Sequence, residues 1–111
     1  MQITTTRDAD LALIRVEGSM DAISVADFDA EWKKVLEEGA GRIIVEMSGL
    51  EYISSAGLRG ILMLAKTTKM KQVRLAFAGM RDMVYDMFKL SGFVTILSVY
   101  PDTDAARAAL A

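Results

Sequence analysis

The chain has 111 residues, 52% hydrophobic and 25% charged, with 13 Lys and Arg against 15 Asp and Glu for a formal charge of −2. That describes one globular domain of ordinary size with a single core and excludes a disordered chain. With no cysteine and no histidine, a disulfide framework, a Cys or His zinc site, a thiol nucleophile, a Ser-His-Asp triad and a phosphohistidine relay are excluded as well.

In chain order, Gln2 to Thr6 is rich in threonine, Arg7 to Asp10 is a polar turn, and Leu11 to Glu17 is an apolar run closed by Gly18. This pattern predicts a β-hairpin whose second strand is mostly buried. Val25, Phe28, Trp32, Val35 and Leu36 then recur every three or four residues, the spacing of one helix face. Ser24 and Asp27 form the expected capping box at its start, and Gly39 to Gly41 end it. Arg42 to Met47 reads as a central strand. A second helix opens at Ser54 or Ser55, runs through Leu58, Ile61, Leu62 and Ala65, and reaches about Lys69.

Val73 to Ala78 is the next predicted strand and Met80 to Leu90 the next helix, ended by Gly92. Phe93 to Val99 reads as a last strand and Asp102 to Leu110 as a short alanine-rich helix. Met80, Met83 and Met87 make a stripe read as core. The fold class is α/β: one domain over residues 1–111, with a mixed, mostly parallel sheet, an N-terminal hairpin and about four helices.

The near-neutral charge argues against a nucleic-acid partner, because phosphate contacts need a concentrated basic surplus. Lys66, Lys69, Lys71 and Arg74 form the densest basic stretch, read as the solvated end of a helix. Leu58 to Ala65 is interrupted by Arg59 and ended by Lys66, far short of the roughly 20 residues of a membrane span. No membrane partner is therefore expected. The start lacks the apolar run of a signal peptide, so a cytoplasmic location is the expectation.

In a parallel α/β sheet, ligands and chemistry gather where strands pass into helices. The passage from Met47 to Arg59 carries Tyr52 and Ile53, then two adjacent serines, then Ala56 and Gly57. One serine serves as helix cap through its hydroxyl. The other is left over at a helix start, where free backbone N–H groups and the positive dipole end favour an anion. A phosphoryl group there would add about −1.5 to −2 charges in a favourable field, the physics of a surface switch.

Three segments carry a resemblance. Ile53-Ser54-Ser55-Ala56-Gly57-Leu58-Arg59, preceded by Ile43 to Leu50, resembles the signature of STAS domains, specifically of bacterial anti-sigma factor antagonists. Gly18-Ser19-Met20-Asp21 is similar to that family's Gly-x-Leu-Asp after the second strand. Met87 to Phe93 is similar to its Phe-x-x-Ser/Thr-Gly-Leu near the third helix. With the element order, the resemblance spans essentially the whole chain.

The resemblance implies a partner-switching cycle. The unmodified antagonist binds an anti-sigma factor that is also a GHKL-type serine kinase, the kinase phosphorylates it, the pair separates, and a PP2C-type phosphatase restores binding. Aligned on Gly57 and Leu58, the family's phosphoacceptor falls on Ser55 and its preceding aspartate on Ser54, which leaves Ser54 as the alternative acceptor. Asp21, Ser54, Ser55, Ala56, Gly57, Leu58 and Arg59 are the implied partner-binding residues, with Asp21 facing the partner or orienting the loop. No catalytic residue, metal ligand or cofactor is implied, because the kinase brings the nucleotide, metal and base.

A response-regulator receiver would need paired acidic residues after its first strand, an acceptor Asp after its central strand and a Lys after its last. The chain instead offers Met47-Ser48 and Ser98 to Pro101 at the latter two points. An enzyme is disfavoured because Asp21, Glu46, Tyr52, Lys66 and Tyr85, the available acid–base groups, have no spacing that demands catalysis. Nor do the glycines form a phosphate-cradling loop. The alternative within the family is a docking or scaffold subunit without a switch, as in stressosomes or transport complexes.

Overall fold

The computed structural model describes residues 1–111. Strands β1 (Gln2–Asp8) and β2 (Leu11–Met20) form the opening antiparallel hairpin, in register from Gln2↔Glu17 to Asp8↔Leu11. Helix α1 (Val25–Glu37), strand β3 (Arg42–Ile53), helix α2 (Ser55–Met70), strand β4 (Arg74–Ala78), helix α3 (Asp82–Leu90), strand β5 (Val99–Tyr100) and helix α4 (Thr103–Leu110) follow. The sheet order is β1-β2-β3-β4-β5, with every pairing after the hairpin parallel.

Because successive strands always add on the same side, crossovers of one hand place their helices on the same face. Phe28, Trp32 and Val35 of α1, Ile61 and Leu64 of α2, and Val84 and Phe88 of α3 accordingly share one core with Ala12, Ile14, Ile43, Val45 and Phe77. Helix α4 covers the opposite face, where Ala106 and Leu110 meet Leu11, Leu13, Ile44, Ala76 and Ala78. Leu11 to Ile14 are all buried because alternate side chains enter the two cores.

Helices α1 and α2 end in the same way. Gly39, with φ +88°, donates to Leu36 O, and Ala40 donates to Val35 O. Gln72, with φ +59°, donates to Lys69 O, and Val73 donates to Thr68 O. Both are the paired bonds of a Schellman cap, built once on glycine and once on a residue with a Cβ.

Four local expectations are corrected. The capping box lies one turn earlier than Ser24 and Asp27. Asp21 Oδ1 accepts the N–H groups of Ile23 and Ser24, both at 3.0 Å, while Ser24 Oγ accepts the Asp21 N–H at 2.9 Å. Asp21 O also accepts the Val25 N–H, so the helical turn begins at Asp21. The central strand does not stop at Met47: past a register shift between Arg15 and Glu17, it continues along β2 to Ile53.

The last strand is only Val99–Tyr100, since Phe93–Thr95 winds into a 3-10 turn. There Phe93 meets Phe88 edge-on at 5.7 Å, and the Leu97 N–H returns to Phe93 O. Those contacts replace the ladder that an extended chain would have made. The methionine stripe is only partly core, because Met80 and Met87 pack against it while Met83 is exposed.

Candidate functional site

The carboxyl ends of β2 and β3 run side by side to Met20↔Ile53. The next residue, Ser54, donates its N–H to Met20 O at 2.9 Å, which ties the start of α2 to the end of β2. Upstream, the bend in β3 is braced by Glu46. Only 7% exposed, it accepts the Ser48 hydroxyl at 2.8 Å and the Ser48 N–H at 3.1 Å, with Arg15 Nε 3.6 Å away. Arg81 Nε, just before α3, donates to Ser48 O at 2.7 Å.

The two serines are not equivalent. Ser54 has extended backbone angles, φ −89° and ψ 175°, and its side chain accepts the Gly57 N–H at 3.2 Å. It is the helix cap, and it is half-buried. Ser55 is the first helical residue, exposed, and its hydroxyl takes no part in that cap. The N–H groups of Ser55 and Ala56 precede the first intrahelical bond, which runs from Leu58 to Ser54 O. No acidic residue lies in the first turn of α2, so the positive end of this helix is not neutralised by its own sequence.

Close backbone approach holds the turn in place. A Cβ on Gly57 would stand 2.7 Å from Met20 O and 2.7 Å from Ile53 Cγ1; one on Gly60 would meet Val25 Cγ2 at 2.6 Å. Two glycines a turn apart thus let α2 settle onto the end of β2 and the start of α1. Leu58 goes into the core, Ala56 is half-buried, and Arg59 is exposed four residues after Ser55, on the same side of the helix.

Asp21 stands at the end of β2, one residue past the carbonyl that holds Ser54. Its carboxyl is held below the ordinary value of 3.8 by the N–H groups of Ser24 and Ile23, with the Ser24 hydroxyl adding to them. An ionised carboxylate therefore shapes the turn beside the two serines.

The seven residues named from the sequence thus converge on one end of the sheet, but in two roles of position. Asp21, Ser54, Ser55, Ala56 and Arg59 reach the surface, whereas Gly57 and Leu58 are buried beneath it. Sequence reasoning missed Ile23, which is 88% exposed in the adjoining turn, whereas Tyr52, noted in the passage before the serines, is 49% exposed at the end of β3. An apolar residue inside the polar turn Asp21-Ala22-Ile23-Ser24 is the signal that was available for Ile23. No helix of the chain is long and apolar enough to cross a membrane.

Residues 2–106 match the family model of the STAS domain. The chain is 29% identical over 109 residues to BtrV, a candidate anti-sigma factor antagonist of Bordetella bronchiseptica, covering 98% of this chain and 94% of that one. Its fold superposes with a TM-score of 0.90 on an anti-sigma factor antagonist from Mycobacterium paratuberculosis, at 16% identity, covering 97% of this chain and 92% of the other. It superposes with a TM-score of 0.76 on the Bacillus cell fate determinant SpoIIAA in its phosphorylated form, at 17% identity, covering 97% and 99%.

Proposed function

The chain belongs to the STAS domain family, and we propose that it is an anti-sigma factor antagonist controlled by phosphorylation of Ser55. Unphosphorylated, it binds a GHKL-type serine kinase that is also the anti-sigma factor. Phosphorylation releases that partner, and a PP2C-type phosphatase resets the cycle. The work is regulatory and done in the cytoplasm, and the chain itself catalyses nothing.

The observation that carries this reading is the division of labour between the two serines. Ser54 spends its oxygen on the Gly57 N–H, while Ser55 presents a hydroxyl outside the cap at the helix start. A phosphate there adds about −1.5 to −2 charges beside free N–H groups and within one turn of Arg59, so the fold tolerates it. An interface seated over Ser55 does not. Burying an uncompensated dianion costs several kcal/mol, and about 5.5 kcal/mol of differential affinity carries a complex from almost fully bound to almost fully free.

The test is incubation with the cognate kinase and ATP, read by intact mass. One phosphate is expected on the wild type and on Ser54→Ala, and none on Ser55→Ala. Absence of phosphate on the wild type would leave a docking subunit without a switch; phosphate retained on Ser55→Ala but lost on Ser54→Ala would move the acceptor to Ser54.

A further inference from the structure

The truncation of β5 leaves part of the helix-covered face open. Strand β4 pairs with β5 only at Phe77 and Ala78, while its whole length pairs with β3. Between β4, the C-terminal half of α2 and the segment entering β5 lies a groove of about 440 Å³. Its apolar wall includes Leu62, Val73, Leu75, Phe77, Ile96 and Leu97.

One rim of the groove is cationic. Lys66 and Lys69 are exposed, stand about one turn apart on α2, and have no carboxylate within ion-pair distance. No Asp or Glu lines the groove.

We propose that this groove binds an amphipathic anion with a single alkyl chain, of the class of a free medium-chain fatty acid. The tail lies against the apolar wall, and the carboxylate is met at the rim by Lys66 and Lys69. The volume falls within the roughly 300–1,000 Å³ of small-molecule sites, which are built as this one is, mostly apolar with a few placed polar groups. Two unpaired ammonium groups attract an anion and repel a cation. They also oppose a second copy seated face to face, since a two-fold contact through this groove would bring four lysines together. Lys66 lies eleven residues from Ser55 on the same helix, about 16 Å along its axis at 1.5 Å per residue, so the groove and the phosphoacceptor are separate sites.

The test titrates the intact protein with dodecanoate below its micelle concentration and follows backbone amide resonances. Saturable shifts are expected at Leu62, Leu75, Leu97 and Ser98 and not at Asp21 or Ser55, with the same affinity in Ser55→Asp. The exposed pair Lys66→Glu with Lys69→Glu should weaken binding at least tenfold, Lys66→Arg with Lys69→Arg should restore it, and dodecyltrimethylammonium should bind at least tenfold more weakly than dodecanoate. Shifts scattered over the surface, equal binding of the cationic amphiphile, or affinity unchanged by the charge reversal would each overturn the proposal. A groove whose resonances shift with protein concentration alone is filled by a second copy, which also overturns it.

Discussion

The Ser54 N–H donates to Met20 O at 2.9 Å, and Gly57 passes so near the same carbonyl that a Cβ there would lie 2.7 Å from it. One backbone oxygen at the end of β2 therefore sets the position of the helix start that presents Ser55. Replacing Gly57 by alanine forces the turn off that oxygen, because a backbone carbonyl cannot rotate away as a side-chain end can. The expected destabilisation is about 1–3 kcal/mol, read as a lower urea midpoint at unchanged slope. A midpoint equal to wild type would show that the close approach carries no strain.

Stability should separate the two serines even without a kinase. Ser54→Ala removes the acceptor of the Gly57 N–H and should cost about 1 kcal/mol. Ser55→Ala removes an exposed hydroxyl outside the cap and should stay within about 0.5 kcal/mol of wild type. Ser55→Asp places a negative charge in the first helical turn and should raise stability by about 0.3–1 kcal/mol at low salt, while weakening the kinase complex. Equal losses for the two alanine variants would contradict the assignment of Ser54 as the cap.

Asp21 makes stability depend on acid. Its carboxyl is held below 3.8 in the fold by the N–H groups of Ser24 and Ile23 and by the Ser24 hydroxyl. A folded-state pKa below the unfolded one means that the contribution is fully present above about pH 4 and fades as pH falls through the lowered value. Asp21→Asn keeps a hydrogen-bonding oxygen and loses the charge, so its stability relative to wild type should be lowest near neutrality and converge with it in acid. A difference between the two proteins that stays constant from pH 6 down to pH 2 would refute the linkage.

At the end of α2, Gln72 takes φ +59° where the matching position of α1 has Gly39. A left-handed conformation costs a residue with a Cβ roughly 1–2 kcal/mol, offset in part by the greater unfolded-chain freedom of glycine. Gln72→Gly should therefore stabilise the protein by about 0.5–1 kcal/mol. Gly39→Ala, at φ +88°, should destabilise it by about 1–2 kcal/mol. Thermal unfolding of the pair checks both signs at once, and a lower Tm for Gln72→Gly would contradict the first.

Much of this was written locally. The three-to-four spacing of Phe28, Trp32 and Val35, the run Arg42 to Met47, and Gly39 and Gly92 at helix ends are short-range signals; α1 and the end of α3 appeared where they placed them, and β3 began at Arg42 but ran past Met47. The segment Ile53 to Arg59 stood out for the same reason, since two serines before a small-residue pair at a helix start are visible without the rest of the chain. Gln72 escaped notice because left-handed caps are read from glycine, and its side chain gives no such signal.

What the sequence by itself determined is therefore the order of the elements, the α/β class and the place of the two serines at a strand-to-helix passage, all consequences of periodicity and turn chemistry within a few residues. Only the tertiary structure decided which serine is the cap, because that choice depends on where Met20 O holds the Ser54 N–H. It also carried β3 on to Ile53 beside β2 and cut the last strand to Val99–Tyr100. In each case a hydrogen bond or ring contact was supplied by a neighbour fixed by the surrounding fold, and such partners outweigh the modest local preferences that a sequence pattern reports.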